Sequence, residues 1–226
     1  VGESAAEDMV RALIHSTNPT LATYAKQDGV QLRITAKAEN EAAAAKMLAE
    51  FEGRVRAIMG SFVYGTDEDT LQGVVGDLLK KQGLTLASVE VSSGGLFAST
   101  VTDVPGSAAY FKGGLVVHAE RVVTDAGLDP EVVNRFGVIS QETSQALARL
   151  AREKFHADVG VATVGVVGPQ PMEGKPAGTV FSSVDKCGEV TTSSRLLAAP
   201  RPDFFKRLSC LSALSLLRRC LLGISW

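Results

Sequence analysis

From residue 70 to the C-terminal end, short β-like runs alternate with helical stretches, and that alternation constrains the fold more than any other feature. The strand-like runs are 84–89, 113–118, 158–167, 178–184 and 189–197. The helical stretches lie near 70–82, 94–102, 129–136, 140–155 and 203–222. A chain that keeps switching between the two periods is expected to fold as a three-layer α/β domain, its helices covering a mostly parallel sheet. In the last helix, Phe204, Leu208, Leu211, Leu214, Leu217 and Leu221 form one apolar stripe, which reads as a core face or a dimer contact.

Residues 1–65 read as a separate, small α+β unit, with the α/β domain over 70–226. Met9, Val10, Leu13 and Ile14 fall on one helical stripe. The run "TLATYAKQDGVQLRITAKA" has two strand-like halves around Asp28-Gly29, a strong short-range hairpin signal. Its second half puts Val30, Leu32, Ile34 and Ala36 on one face and Gln31, Arg33 and Thr35 on the other. A helix is expected from Glu41 to Met59, with Met47, Phe51, Val55 and Ile58 inward. The acidic run Thr66-Asp67-Glu68-Asp69 is expected to cap the helix carrying Leu71, Val74, Val75, Leu78 and Leu79.

Composition narrows the function classes. A net charge of −2 lacks the basic footprint that nucleic-acid backbone binding needs, so no nucleic-acid partner is expected. Cys187, Cys210 and Cys220 show no CxxC pairing, which argues against a zinc site or disulfide framework and suits a reducing cytoplasm. Neither a metal nor an organic cofactor is called for. Residues 1–16 carry Glu3, Glu7, Asp8 and Arg11, unlike a signal peptide. The Leu-rich stretch from Leu208 to Trp226 is interrupted by Arg218-Arg219 and too short to span a bilayer, so no membrane partner is expected. The chain starts at Val1 without a methionine and reads as a piece of something longer.

The stretch "SVEVSSGG", 88–95, is the place to look for chemistry. A strand runs into small residues and then a helix, a geometry that can hold a nucleophile or a ligand. The same residues are what an ordinary turn needs: Ser92 and Ser93 can simply cap the helix. Glu90, if buried, needs a partner among nearby hydroxyls and amides. Downstream, Gly165, Gly168 and Pro169 form either a sheet-edge turn or the glycine-rich loop where an α/β fold places a ligand. Lys175 meets a phosphate or is merely solvated; His118 on a strand is a packed histidine or a base; His15 and His156 read as surface or packing residues.

Five islands occur in order: "GLTLASVEVSSGG" (83–95), "DVPGSAAYFKGGLVV" (103–117), "GVIS" (137–140), "GVVGP" (165–169) and "GKPAGTV" (174–180). Together they resemble the C-terminal domain of the CinA family (competence/damage-inducible protein A), whose islands read roughly ESCTGG, GSSxYFxxG, GAVS, GIAGP and KPVGTV. The stretch "NPTLATYAKQDGVQLRIT" (18–35) resembles the KH-like middle domain of longer members. Those proteins carry a further N-terminal domain, molybdopterin-binding-like, of which "GES" at 2–4 resembles the trailing edge. Residues 1–70 contain no GxxG loop, so RNA clamping is not expected.

The resemblance implies hydrolysis of the amide of nicotinamide mononucleotide to the acid and ammonia by serine/lysine chemistry, in a homodimer. A serine attacks, a lysine takes its proton, and backbone amides hold the oxyanion. Here the family's nucleophile position is Val91, with Ser92 where cysteine is frequent and Ser93 for the threonine. The segment that carries the family's lysine reads His118-Ala119-Glu120-Arg121-Val122-Val123, and a guanidinium cannot serve as base. The family's GDR falls on Pro200-Arg201-Pro202. Three readings follow: a surviving pocket without hydrolysis, hydrolysis by shifted residues (Ser92 or Ser93 attacking, His118 as base), or a structural, dimerising module. In the first, Ser92 to Gly95 line a pocket with Glu90, Gly106, Ser107, Gly168, Pro169 and Lys175, and Val91 fills the nucleophile's place.

Overall fold

Val10 and Leu13 of one helix and Phe51 and Val55 of another close over a two-stranded ribbon, and this small core organises the first of two units, Val1–Glu68 and Asp69–Trp226. The computed structural model describes residues 2–26, 29–121, 125–198 and 201–224, apart from the Glu120 side chain.

The first unit runs α1 (Glu3–Ile14), β1 (Thr20–Lys26), β2 (Gly29–Thr35) and α2 (Glu41–Met59). β1 and β2 pair antiparallel, Leu21 opposite Ile34 and Ala25 opposite Val30. Val30, Leu32 and Ile34 face the core as the alternation requires, while Ala36 lies beyond the strand. Gly29 opens β2 opposite Lys26; Asp28 lies outside the described residues. Asn40 caps α2, accepting from Ala43 N at 2.9 Å. The α2 stripe ends on Met59 instead of the expected Ile58, which is exposed, because steps of four keep Phe51, Val55 and Met59 on one face.

The second unit contains α3 (Leu71–Gln82), β3 (Leu86–Glu90), α4 (Leu96–Thr102), β4 (Phe111–Val116), α5 (Pro130–Phe136), α6 (Gln141–Lys154), β5 (Val159–Gly165), β6 (Thr179–Lys186), β7 (Glu189–Leu196) and α7 (Pro202–Leu222). Thr70, not the acidic run before it, caps α3 through Gly73 N, since its hydroxyl sits where the N3 amide needs an acceptor. The sheet order is β4-β3-β5-β6-β7. β3 runs parallel to both β4 and β5, and an antiparallel β6–β7 hairpin completes a mixed sheet. The hairpin turns on Cys187 and Gly188, both at positive φ (53° and 98°), and a two-residue loop can join only antiparallel strands.

Helices cover both faces. Ala87 and Val89 of β3 pack with Leu147, Ala148 and Ala151 of α6. On the other face α7 lies along β5 and β6 and against α3 and α4. The expected stripe on α7 is corrected accordingly. Phe204 is exposed and Phe205 is wholly buried, and burial extends to Ser209, Cys210, Ser212, Ala213 and Leu216, because this helix is packed on two sides within its own unit. The stripe is therefore core and gives no argument for a dimer. β4 begins at Phe111 rather than 113 and ends at Val116, leaving His118 in the loop beyond it.

The face that carries α6 depends on one close approach. A Cβ at Gly160 would overlap the Ala148 carbonyl oxygen and crowd Arg152 N, both backbone atoms of α6. Gly160→Ala should therefore cost about 3 kcal/mol of stability by overpacking, measurable as a lowered midpoint in urea unfolding; an unchanged midpoint would contradict the packing described.

Candidate functional site

The turn at 91–95 is built around Glu90, the last residue of β3, which is 1% exposed. Its Oε2 accepts from Ser93 Oγ at 2.7 Å and from Phe97 N at 2.9 Å, and its Oε1 accepts from Ala98 N at 2.8 Å. Glu90 thus caps α4, the role that sequence reasoning offered to Ser92 and Ser93. A buried carboxylate needs several donors, and the first amides of a helix supply them. Both oxygens are engaged in holding the turn.

Ser93 is wholly buried, and its hydroxyl lies 2.7 Å from both Glu90 Oε2 and Thr163 Oγ1. Its proton is directed at a carboxylate, and the residue is closed to solvent. Thr163 on β5 also accepts Val91 N at 3.1 Å through its carbonyl. The Val91 side chain packs against the apolar cluster on the α6 face. Ser92 is 4% exposed and its Oγ has no hydrogen-bond partner. The backbone then turns through Gly94 and Gly95 at φ of 63° and 91°, values that glycine adopts without strain.

The remaining expected residues divide by sheet end. In the parallel part of the sheet, ligands collect beyond the carboxyl ends of the strands. The 91–95 turn lies there, after β3. So does His118, since Val117 N donates to Glu90 O at 3.0 Å. His118 is exposed, and among the described residues no hydrogen bond joins it to Ser92 or Ser93. Gly168 and Pro169 follow β5 at the same end, with Gly168 at φ 92° against Ala177. Lys175, half-buried, closes a tight hairpin through paired backbone bonds with Met172.

Gly106 and Ser107 do not join them. They precede β4 at the end where β3 begins, where Leu86 N donates to Tyr110 O at 2.7 Å, and Ser107 Oγ reaches Thr102 O at 3.4 Å. One chain therefore does not bring Gly106 and Ser107 to the turn, because α4 carries the chain back along the sheet before β4 starts.

Three residues at the turn's end of the sheet carry no sequence signal. Thr163 sits in an apolar strand and is found only through its pairing with Glu90. Glu173 reaches across to accept from Val138 N at 2.9 Å and Ile139 N at 2.8 Å, fixing the loop before α6. Lys206, near the start of α7, lies over the turn: its Nζ is 3.2 Å from where a Cβ would stand on Gly94. One turn further on, Cys210 Sγ approaches Leu96 O and Thr100 Oγ1, fixing α7 along α4. Burial pushes the Cys210 thiol up to about 11, so it stays a neutral packing group. Among the described residues no cluster of three metal-ligating side chains occurs, and no helix is long and apolar enough to cross a membrane.

Residues 68–221 match the CinA C-terminal domain and residues 1–65 the damage-inducible protein CinA KH domain. A putative competence-damage inducible protein of Moorella thermoacetica is 41% identical over 223 residues, 98% of this chain and 54% of that protein. A CinA-like protein of Frankia casuarinae is 39% identical over 225 residues, 99% of this chain and 52% of that protein. The chain thus spans about half the length of these relatives. Among solved structures, the competence or damage-inducible protein of Enterobacter asburiae superposes with a TM-score of 0.63 at 26% identity, covering 68% of this chain and 99% of that one. The CinA superfamily protein of Enterobacter cloacae gives 0.63 at 26% identity, covering 70% and 96%.

The Glu90 arrangement has a measurable weight. Glu90→Gln replaces an acceptor facing a backbone N–H with an amide NH2, and a hydrogen bond to a buried charge is lost; the expected cost is about 2 kcal/mol, against about 1 kcal/mol for Ser93→Ala. Urea unfolding of the two variants checks the order; an equal or reversed order would count against Glu90 as the centre of the turn.

Proposed function

The chain belongs to the CinA family, and on that premise we propose that its second unit binds a pyridine nucleotide of the nicotinamide mononucleotide type without hydrolysing its amide. The observation that carries this reading is Val91. It stands where the family resemblance puts the attacking serine, and its side chain packs into the apolar layer under α6. The neighbouring hydroxyl of Ser93 is held by Glu90 and Thr163. Arg121, in the segment where the family carries its lysine, pairs with Asp125 and stays protonated. What remains favourable to binding is a turn of small residues beyond the carboxyl end of β3, with a glycine loop after β5 on the same side.

One observation favours the second reading, hydrolysis by a shifted residue: Ser92 Oγ is buried and unpartnered. His118 is then its only candidate base from the sequence, and it is exposed in the loop after β4. The assembly proposed from the family resemblance is a homodimer, tested by sedimentation velocity at micromolar concentration. The unbridged thiols of Cys187, Cys210 and Cys220 suit a reducing compartment, and we place the protein in the cytoplasm.

Ammonia release from nicotinamide mononucleotide, run beside calorimetric binding, tests the main reading. Binding with turnover absent or about a millionfold below that of a serine/lysine member is expected, the scale of losing a nucleophile. Turnover near one per second that disappears in Ser92→Ala would establish the shifted-residue enzyme instead.

A further inference from the structure

We infer that the open edge of β7 is the surface on which a second copy of this chain docks, strand against strand, so that two five-stranded sheets join antiparallel about a twofold axis at Thr192. The inference rests on the homodimer reading above and names the surface that makes the dimer.

β7 is the last strand of its sheet and pairs with β6 on one side only. All 8 of its residues stay in register with β6, a longer run than the about five or six of an ordinary strand. Proteins blunt exposed sheet edges with proline, lysine or a bulge, because an edge is a template for another strand. β7 carries none of these. The opposite edge of the same sheet does: β4 has an exposed Lys112, the consecutive glycines Gly113 and Gly114, and a break in its register with β3.

The ladder fixes which backbone groups this edge offers. Leu197 N donates to Gly178 O at 2.8 Å, one step beyond the last β6–β7 pair, Thr179 with Leu196. Hydrogen-bonded and non-bonded pairs alternate along an antiparallel ladder. Glu189, Thr191, Ser193 and Arg195 therefore turn their amides and carbonyls toward β6, and those of Val190, Thr192, Ser194 and Leu196 point outward. Among the described residues no backbone hydrogen bond outside the ladder reaches these four.

One pairing of two such edges satisfies backbone and charge together. With Thr192 opposite its own copy, Val190 stands opposite Ser194, and each of these pairs joins outward-pointing groups that exchange hydrogen bonds. The same register sets Glu189 opposite the second copy's Arg195, and Arg195 opposite its Glu189. Both residues are exposed, and Arg195 Nε lies 3.4 Å from Ser193 Oγ on the same face of the strand. They fall in non-bonded pairs, where side chains stand closest and opposite charges attract. Leu196, 68% exposed, comes opposite Gly188, where a Cβ would meet nothing within 4 Å. The residues between are valine, threonine and serine, which suit cross-strand pairs. A strand from another protein would need the same spacing of acid and base, whereas a second copy brings it by symmetry.

Sedimentation velocity of the whole chain over a dilution series tests this. Glu189→Arg and Arg195→Glu each set like charges opposite at both ends of the pairing, and each is expected to weaken the dimer about tenfold in Kd, while the double variant restores it. Ser194→Pro removes an outward N–H and spares the bonds to β6, a position where an edge strand tolerates proline. It is expected to yield monomer with an unchanged far-UV circular dichroism spectrum; should it misfold, the charge variants, on exposed side chains, decide the matter. A dimer that neither charge variant weakens overturns this inference, leaves the edge to a strand of another protein, and keeps the homodimer reading. Weakening in both single variants that the double variant does not repair overturns it as well, because the register is then wrong. A wild-type chain that is monomeric at micromolar concentration overturns the homodimer reading, and this inference with it.

Discussion

One buried carboxylate organises the candidate site. Glu90 ends β3, and its two oxygens gather Ser93 Oγ and the first free amides of α4. A charge removed from water must be met by donors or it destabilises the fold by several kcal/mol, so the turn between β3 and α4 has little freedom to take another shape. That constraint propagates. Ser93 is fixed, Gly94 and Gly95 take the positive-φ bend, and α4 leaves the sheet at a defined angle along which α7 then packs through Cys210.

The sheet supplies the second constraint. β5 lies beside β3 in parallel register, Glu90 against Thr163, and Thr163 serves the turn twice, by carbonyl to Val91 N and by hydroxyl to Ser93. Parallel pairing brings the ends of β3, β4 and β5 to one side, and the antiparallel hairpin returns the chain so that α7 begins there too. The turn, the 165–169 loop, the loop clamped by Glu173 and the start of α7 therefore share one end of the sheet. The frame depends on Glu90, Thr163 and the glycines rather than on residue 91.

Much of this was legible in the sequence. Clean alternation at Val30, Leu32 and Ile34 placed β2, steps of four placed α2, and strand-turn-helix chemistry at 86–102 placed the candidate turn. Errors fell where a periodic stripe has two solutions. Ile58 and Met59 are neighbours at the edge of one helical face, as are Phe204 and Phe205, and only the partner surface decides which is buried. His118 was assigned to a strand that ends at Val116, since the end of β4 is set by the length of its neighbour β3 and not by its own residues.

The sequence by itself determined the order and type of the elements, the turn at 91–95 and the absence of a hydroxyl at Val91, because periodicity, turn chemistry and residue identity are local properties. Tertiary structure alone decided what those residues do. That Glu90 supports the turn, that Gly106 and Ser107 lie at the other end of the sheet, and that Lys206 covers Gly94 all follow from strand order and helix packing. Lys206 and Gly94 meet across more than a hundred residues of chain, and no spacing or composition rule encodes a contact made by folding the chain back on itself.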